Sequence, residues 1–411
     1  MTDIKKLFKI IWKRFSIWII LLALLTVLLN SINASSQIES KEEYFSKSVE
    51  TMAKKVGVCA PSADKQLNKA YMDKAEEISK KYTSKYKLKY TKYSETESYY
   101  DFEDSNANND YGNDFELLKP IQNYIDTVDF ISNDGIKDYY MNNLLAPIIF
   151  FVLGLAFLIT SLEQSLPYYE FTSMFPWKKQ DEVWMKSLIA FLFGLAVLLI
   201  NLLISTMILK SSAFSSIADI TNILSPIFKL VLLTFGASIL SVSTGMIAGN
   251  FLGHIGLGII TVGGIDLIVQ NIRSIISIFS PDNMYSFDTS YSRFKDSLPE
   301  FFKPFITLIN FQFEYIYIVG FLVMALLIAI LSYIVNQKIS AEKSGYMIIS
   351  KPIEKYTKIL ASFSFAALFY VILSGTLMNN DIVIINLIIY ALGLLIGTKL
   401  FDILFKIRLK F

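Results

Sequence analysis

Few residues in this chain could do covalent chemistry. It holds one histidine, His254, and one cysteine, Cys59. A zinc site takes about four nitrogen, sulfur or oxygen ligands, and a hydrolytic triad needs a nucleophile, a base and an orienting acid, so this pair builds neither. A lone cysteine also has no partner for an intramolecular disulfide. No HExxH, GxSxG or GxxxxGK[ST] pattern occurs, which leaves no visible hydrolase motif and no phosphate-cradling loop. The expectation is a chain that is no enzyme, with no catalytic, cofactor-binding or metal residues. Ser374 lacks a histidine partner, since His254 is expected as an accessible surface group in a short turn. What remains is electrostatics and mechanics. Asp266 lies in an apolar run, where an ionisable group is costly unless it faces protein or water. It is read either as a polar position on a substrate path or as the partner of a neighbouring helix. Asn201, in another apolar run, is read as a hydrogen bond between helices.

Two charged segments offer mechanical contacts. The first, Glu163 to Lys186, reads EQSLPYYEFTSMFPWKKQDEVWMK. Pro176 stops a helix and biases Phe175 toward extended backbone, so the segment is expected as two short helices with an elbow between them. The second, Asn336 to Lys358, repeats that grammar with Glu342, Gly345, Lys351-Pro352 and a closing Lys358. Each is equally readable as a connector whose lysines follow membrane topology.

The first segment resembles the coupling loop of ABC-2 type exporter permeases. There an acidic residue, a Leu-Pro-like pair, basic residues and a closing lysine precede a transmembrane helix. Glu170, Phe175-Pro176, Lys178 with Lys179, and Lys186 carry the resemblance. Departures are lysine where arginine is frequent, Trp177 after the proline, and Asp181-Glu182 ahead of the helix. The resemblance implies the membrane subunit of a bacterial ABC exporter, paired with an identical or different permease subunit. ATP and Mg would sit on a separate ABC ATPase, whose closure pushes the loops. Glu170, Phe175, Pro176, Trp177, Lys178, Lys179 and Lys186 would form the ATPase-coupling surface, and Glu342, Gly345 and Pro352 a second one. Peptide, drug and lipid-like cargo all fit.

The elements that must position these residues are membrane helices. The 411 residues are 53% hydrophobic and 18% charged, a balance for a polytopic membrane protein rather than a soluble globule. A net charge of +2 and no basic stripe argue against nucleic acid. Residues 1–14 read as a cytoplasmic interfacial helix and 15–30 as a first transmembrane helix, with an N-terminal signal peptide as the rival reading. Residues 31–143 read as an extracellular domain, with helices at 40–56 and 63–82 and a strand at 84–93. Seven further spans are expected near 144–162, 188–209, 226–249, 252–270, 313–335, 358–379 and 382–405. Coupling loops would occupy 163–187 and 336–358. The lysine distribution puts both termini and both loops in the cytoplasm, in a multi-pass chain of the cell membrane. Residues 271–312 read as partly re-entrant. Gly245, Gly249 and Gly253 form a small-residue row expected to pack helix on helix.

The expected fold class is therefore an all-α polytopic membrane protein, of about eight transmembrane helices with an α+β extracellular domain inserted between the first and second. The alternative function is a sensor or transducer whose outer domain binds a ligand or relays force without transport.

Overall fold

The computed structural model describes residues 2–61, 66–92, 98–102, 111–166, 178–221, 223–309, 313–338, 345–376 and 383–409. Eight of its helices are long and apolar enough to cross a membrane, and nearly all of the rest is helical too. In chain order the elements are α1 (Thr2–Val56), α2 (Lys69–Tyr86), strands β1 (Leu88–Lys92) and β2 (Ser98–Phe102), α3 (Tyr111–Ile131) and α4 (Asn133–Phe157). Then come α5 (Asp181–Ser211), α6 (Leu224–Ile247), α7 (Phe251–Phe279), α8 (Met284–Ser297), α9 (Lys303–Ile306), α10 (Tyr315–Gln337), α11 (Lys351–Thr376) and α12 (Val383–Lys406). The spans are α1, α4, α5, α6, α7, α10, α11 and α12.

The chain divides into two compact units. One comprises residues 24–148 and 196–230, the other residues 1–23, 149–195 and 231–411. The boundaries expected at residues 14 and 30 fall inside α1, which runs unbroken for 55 residues, roughly 80 Å at 1.5 Å per residue. Its apolar residues change role along its length. Ile17, Leu21, Leu24 and Leu28 are exposed, as lipid-facing residues are, whereas Ile38, Phe45, Val49 and Met52 recur at helical spacing and are buried. Gly57, with φ 79, ends the helix by turning its N–H back to Ala53 O at 2.9 Å.

The insert is helical, which corrects the expected α+β domain. Among the described residues its only strand pairing is the antiparallel hairpin of β1 and β2, with Tyr90 opposite Tyr100. Helix α2 runs on to Tyr86 and takes the first three residues of the segment expected as a strand, and β1 takes Leu88–Lys92 of the rest. Its start is capped by the Asn68 side chain, which accepts the Tyr71 N–H at 2.9 Å. Buried Tyr71, Ala75, Ile78 and Tyr82 form one stripe along it, so helical periodicity with a real core wins over local alternation. Phe45 of α1 sits among Tyr71, Tyr124 and Phe214. The Tyr82 hydroxyl donates to Leu117 O at 2.8 Å. Asn201 behaves differently from expectation. Its side chain donates to Val197 O in its own helix, and it is Asn30 that reaches across, to Asn201 O at 3.2 Å and Ser205 Oγ at 3.1 Å.

In the other unit, α6 is the most enclosed span. Helices α11 and α12 pair closely, because Gly393 and Gly397 leave no side chain between α12 and the α11 residues Ala366, Phe369, Phe365 and Ser362. Residues 281–306 form α8, α9 and two 3-10 turns. Their end dips against the spans: Phe301 O closes on Gly320 of α10 and Ile306 O on Gly264 of α7. Gly264 lies midway along α7 with φ 48 and breaks that helix. The carbonyl of Val262 beside the break accepts from Leu308 N at 2.9 Å. Non-helical backbone inside an apolar helix needs partners in protein when it is out of reach of water, and Leu308 N supplies one.

Candidate functional site

The first charged segment leaves its spans through an irregular stem. Helix α4 ends in one π-helical turn, Leu158–Leu162, followed by a short helical turn, Glu163–Ser165. Such turns widen a helix locally and recur at functional positions. Here Thr160 packs on Gly245 of α6, where an added Cβ would lie 2.1 Å from its Oγ1. Ser161 is brought to His254 Nδ1, with Oγ at 3.0 Å. His254 is buried in the first turn of α7 rather than accessible in a turn.

Glu163, two residues past Ser161, is the centre of a buried charge cluster. Its Oε2 accepts from Lys186 Nζ at 2.7 Å and its Oε1 from Arg14 Nη1 at 3.1 Å. Lys186 also meets Glu182 Oε2 at 3.1 Å, one helical turn earlier in α5. The Lys186 and Glu163 side chains are 1% and 3% exposed. Glu163 and Glu182 balance Arg14 and Lys186 in charge, and the four join α1, the end of α4 and the start of α5. Burying such charges is tolerable only because each is paired and hydrogen-bonded. The Lys179 ammonium is also buried although its stem is partly exposed. Desolvation lowers its pKa to about 8, with Glu182 working against that and Lys186 adding to it. Lys178 is exposed.

Of the residues expected in the first coupling surface, Lys179 and Lys186 come together with Glu163, Glu182 and Arg14, while Glu170, Phe175, Pro176 and Trp177 lie outside the described residues. Arg14, Glu163 and Glu182 were not expected as site residues. The Glu182–Lys186 pair at four-residue spacing was readable as a helical pair, but Arg14 and Glu163 are 149 residues apart.

The second segment is a different device. Glu342 lies outside the described residues, and Pro352 is the second residue of α11, a position that suits its fixed φ and missing N–H. Gly345, with φ 91, belongs to a backbone clasp. Its N–H donates to Gly249 O at 2.7 Å, and its carbonyl accepts from Asn250 Nδ2 and Leu409 N, both at 2.8 Å. Gly249 N donates in turn to Met347 O at 3.1 Å, and Ala248 bridges Ile348. The small-residue row is thus not a helix face. The chain leaves the helix at Ala248–Asn250, so Gly245 meets Thr160 and His254, Gly249 is in the clasp, and Gly253 abuts Met347 O.

Asp266 accepts the Tyr291 hydroxyl at 2.5 Å, with Lys295 Nζ 3.8 Å away. Burial, then Asp266, pushes the Tyr291 hydroxyl upward. The pairing reading of Asp266 therefore describes its surroundings, a latch onto α8.

Apart from the Asp266–Tyr291 latch, these contacts gather helix ends of one unit. Arg14 near the start of α1, the end of α4 and the start of α5 meet in the charge cluster. Asn336 at the end of α10 donates to Met246 O near the end of α6 at 3.3 Å. The clasp adds the start of α7, the approach to α11 and the tail of α12. Compared with known protein families, curated proteins and solved structures, the chain matches none.

Proposed function

We propose that this chain is the permease subunit of an ABC exporter of the ABC-2 kind, moving a substrate outward with ATP hydrolysed by a separate ATPase. The observation that carries the reading is the Glu163–Lys186 pair, which ties together the two stems of the loop between the second and third spans. A loop on a locked base passes a push to its helices instead of absorbing it, and Arg14 extends that path to α1. ATP and Mg belong to the ATPase, because this chain has no P-loop pattern. A second permease subunit, identical or different, completes the transporter. The chain is multi-pass in the cell membrane, with the clustered helix ends and both termini in the cytoplasm. A cavity of about 440 Å³ lined by Leu153, Phe157, Ile255 and Ile259, polar only at Thr244 and His254, suits apolar cargo.

The test is co-expression with a candidate ATPase, followed by co-purification and ATP hydrolysis in nanodiscs. Aromatic anchors carry most interface energy and rim charges little. Trp177→Ala should therefore lose more of the complex than Lys178→Ala. Normal complex and turnover in Trp177→Ala, Phe175→Ala and Glu170→Lys would remove the coupling reading and leave the transducer.

A further inference from the structure

Beside the charge cluster, a cavity of about 530 Å³ is lined by Arg14, Phe15, Trp18, Leu162 and Leu166. Its make-up is divided. Arg14 supplies a guanidinium, with its side chain 26% exposed. Trp18, one helical turn on, is 60% exposed, and the rest of the wall among the described residues is apolar. We infer that this cavity binds an anionic phospholipid, with the phosphate on Arg14 and the start of an acyl chain against Phe15, Leu162 and Leu166. The inference rests on α1 and α4 being membrane spans and is independent of the coupling reading.

Three observations converge. Charge is the first: Lys5, Lys6, Lys9 and Lys13 are exposed on the turns before Arg14, and a cluster of cations at the edge of a span concentrates anionic lipid at the surface. Depth is the second. Arg14 lies where α1 passes from its basic turns into the run Phe15–Asn30, the level at which phosphate groups sit, and an exposed tryptophan there has the amphipathic character of interfacial anchors. Geometry is the third. A guanidinium carries five N–H donors in a planar fork and can hold a phosphate alongside a carboxylate, so the Glu163 contact at 3.1 Å is compatible with a lipid on the cavity side. A soluble anion would use only the arginine. The apolar wall and the indole select an anion that carries a hydrocarbon chain.

The experiment uses the full chain with Trp18 as the sole fluorophore, through Trp12→Phe, Trp177→Phe and Trp184→Phe. Brominated phosphatidylglycerol or brominated phosphatidylcholine is titrated in mixed micelles, and quenching of Trp18 reports relative association. The expected result is a preference of about fivefold or more for the glycerol lipid, the scale of one cation's contribution at a membrane surface. Arg14→Gln should bring the ratio close to one. Arg14→Lys, which keeps the charge and the Glu163 contact but not the fork, should be intermediate and guards against misfolding of Arg14→Gln. Neutralising Lys5, Lys6, Lys9 and Lys13 together should leave a clear preference. Equal quenching by both lipids overturns the inference. So does a preference that survives Arg14→Gln and disappears with the four lysines, since a diffuse field then explains it, or displacement of the lipid by inorganic phosphate at equal concentration.

Discussion

Removing the Lys186 ammonium leaves the Glu163 and Glu182 carboxylates in a buried site with one less cation. Lys186→Met should destabilise the protein by about 3–5 kcal/mol, the cost of leaving buried charge unpaired. Adding Glu182→Gln removes the excess negative charge and leaves Arg14 paired with Glu163, so the double variant should recover much of the loss. Thermal unfolding of the purified protein in nanodiscs checks both statements, and a Lys186→Met variant within about 0.5 kcal/mol of the parent would show that the cluster does not hold the stems. At this scale the sequence was half legible. Lys186 stood out as the lysine closing the loop before an apolar run, and Lys179 as its neighbour. Glu163 looked like the first residue of a loop and Arg14 like one of several topology-setting cations. Nothing local distinguishes a charge that will be buried 149 residues from its partner. His254 was misread for a related reason: a short gap between two spans reads as a wet turn, but its backbone is instead paired with residues 345–349.

Glycine spacing was a good guide to elements only where the helix continued. Gly393 and Gly397 lie within α12 and pack on α11, although the longer row at Gly245, Gly249 and Gly253 drew attention first. That row is cut by the clasp, because Asn250 starts α7 by capping the Gly253 N–H at 2.9 Å. The consequence can be tested with two small substitutions in the same helix. A Cβ at Gly253 would lie 1.7 Å from Met347 O, which is backbone and cannot swing aside, whereas a Cβ at Gly256 meets nothing within 4 Å. Gly253→Ala should therefore cost about 1–3 kcal/mol from overpacking, and Gly256→Ala should be neutral or gain up to about 1 kcal/mol from helix propensity. Detergent melting curves of the two variants decide it, and equal melting would mean that α7 does not start against the clasp. The eight spans were legible because apolar runs of this length have few other uses. The extent of helix in the insert was not, because its stripes are thin; the lysine-tyrosine alternation did mark a strand, β1 at Leu88–Lys92.

Helix direction ties the residues to the molecule as a whole. In one unit the start of α1, the end of α4, the start of α5, the end of α6, the start of α7, the end of α10, the approach to α11 and the tail of α12 are bonded to one another in groups at successive span ends. That alternation is what eight consecutive crossings require. It does not say which side of the bilayer the ends face; the expectation that they are cytoplasmic rests on the lysines of residues 163–186, 336–358 and the two termini. The exposed Cys59 follows the first span, so it should lie on the opposite side from the tail at Arg408. A membrane-impermeant maleimide applied to intact cells should label Cys59, the chain's single cysteine. In a Cys59→Ser background it should spare Arg408→Cys until the cells are permeabilised. Labelling of both without permeabilisation would place an even number of crossings between them, and labelling of Arg408→Cys with protection of Cys59 would invert the chain. Either result would put the Glu163–Lys186 base out of reach of a cytoplasmic ATPase. Protection of Arg408→Cys with labelling of Cys59 would place that base, the clasp and the cationic turns of α1 on the ATP-containing side, where a motor can push them and where anionic lipid headgroups meet Arg14.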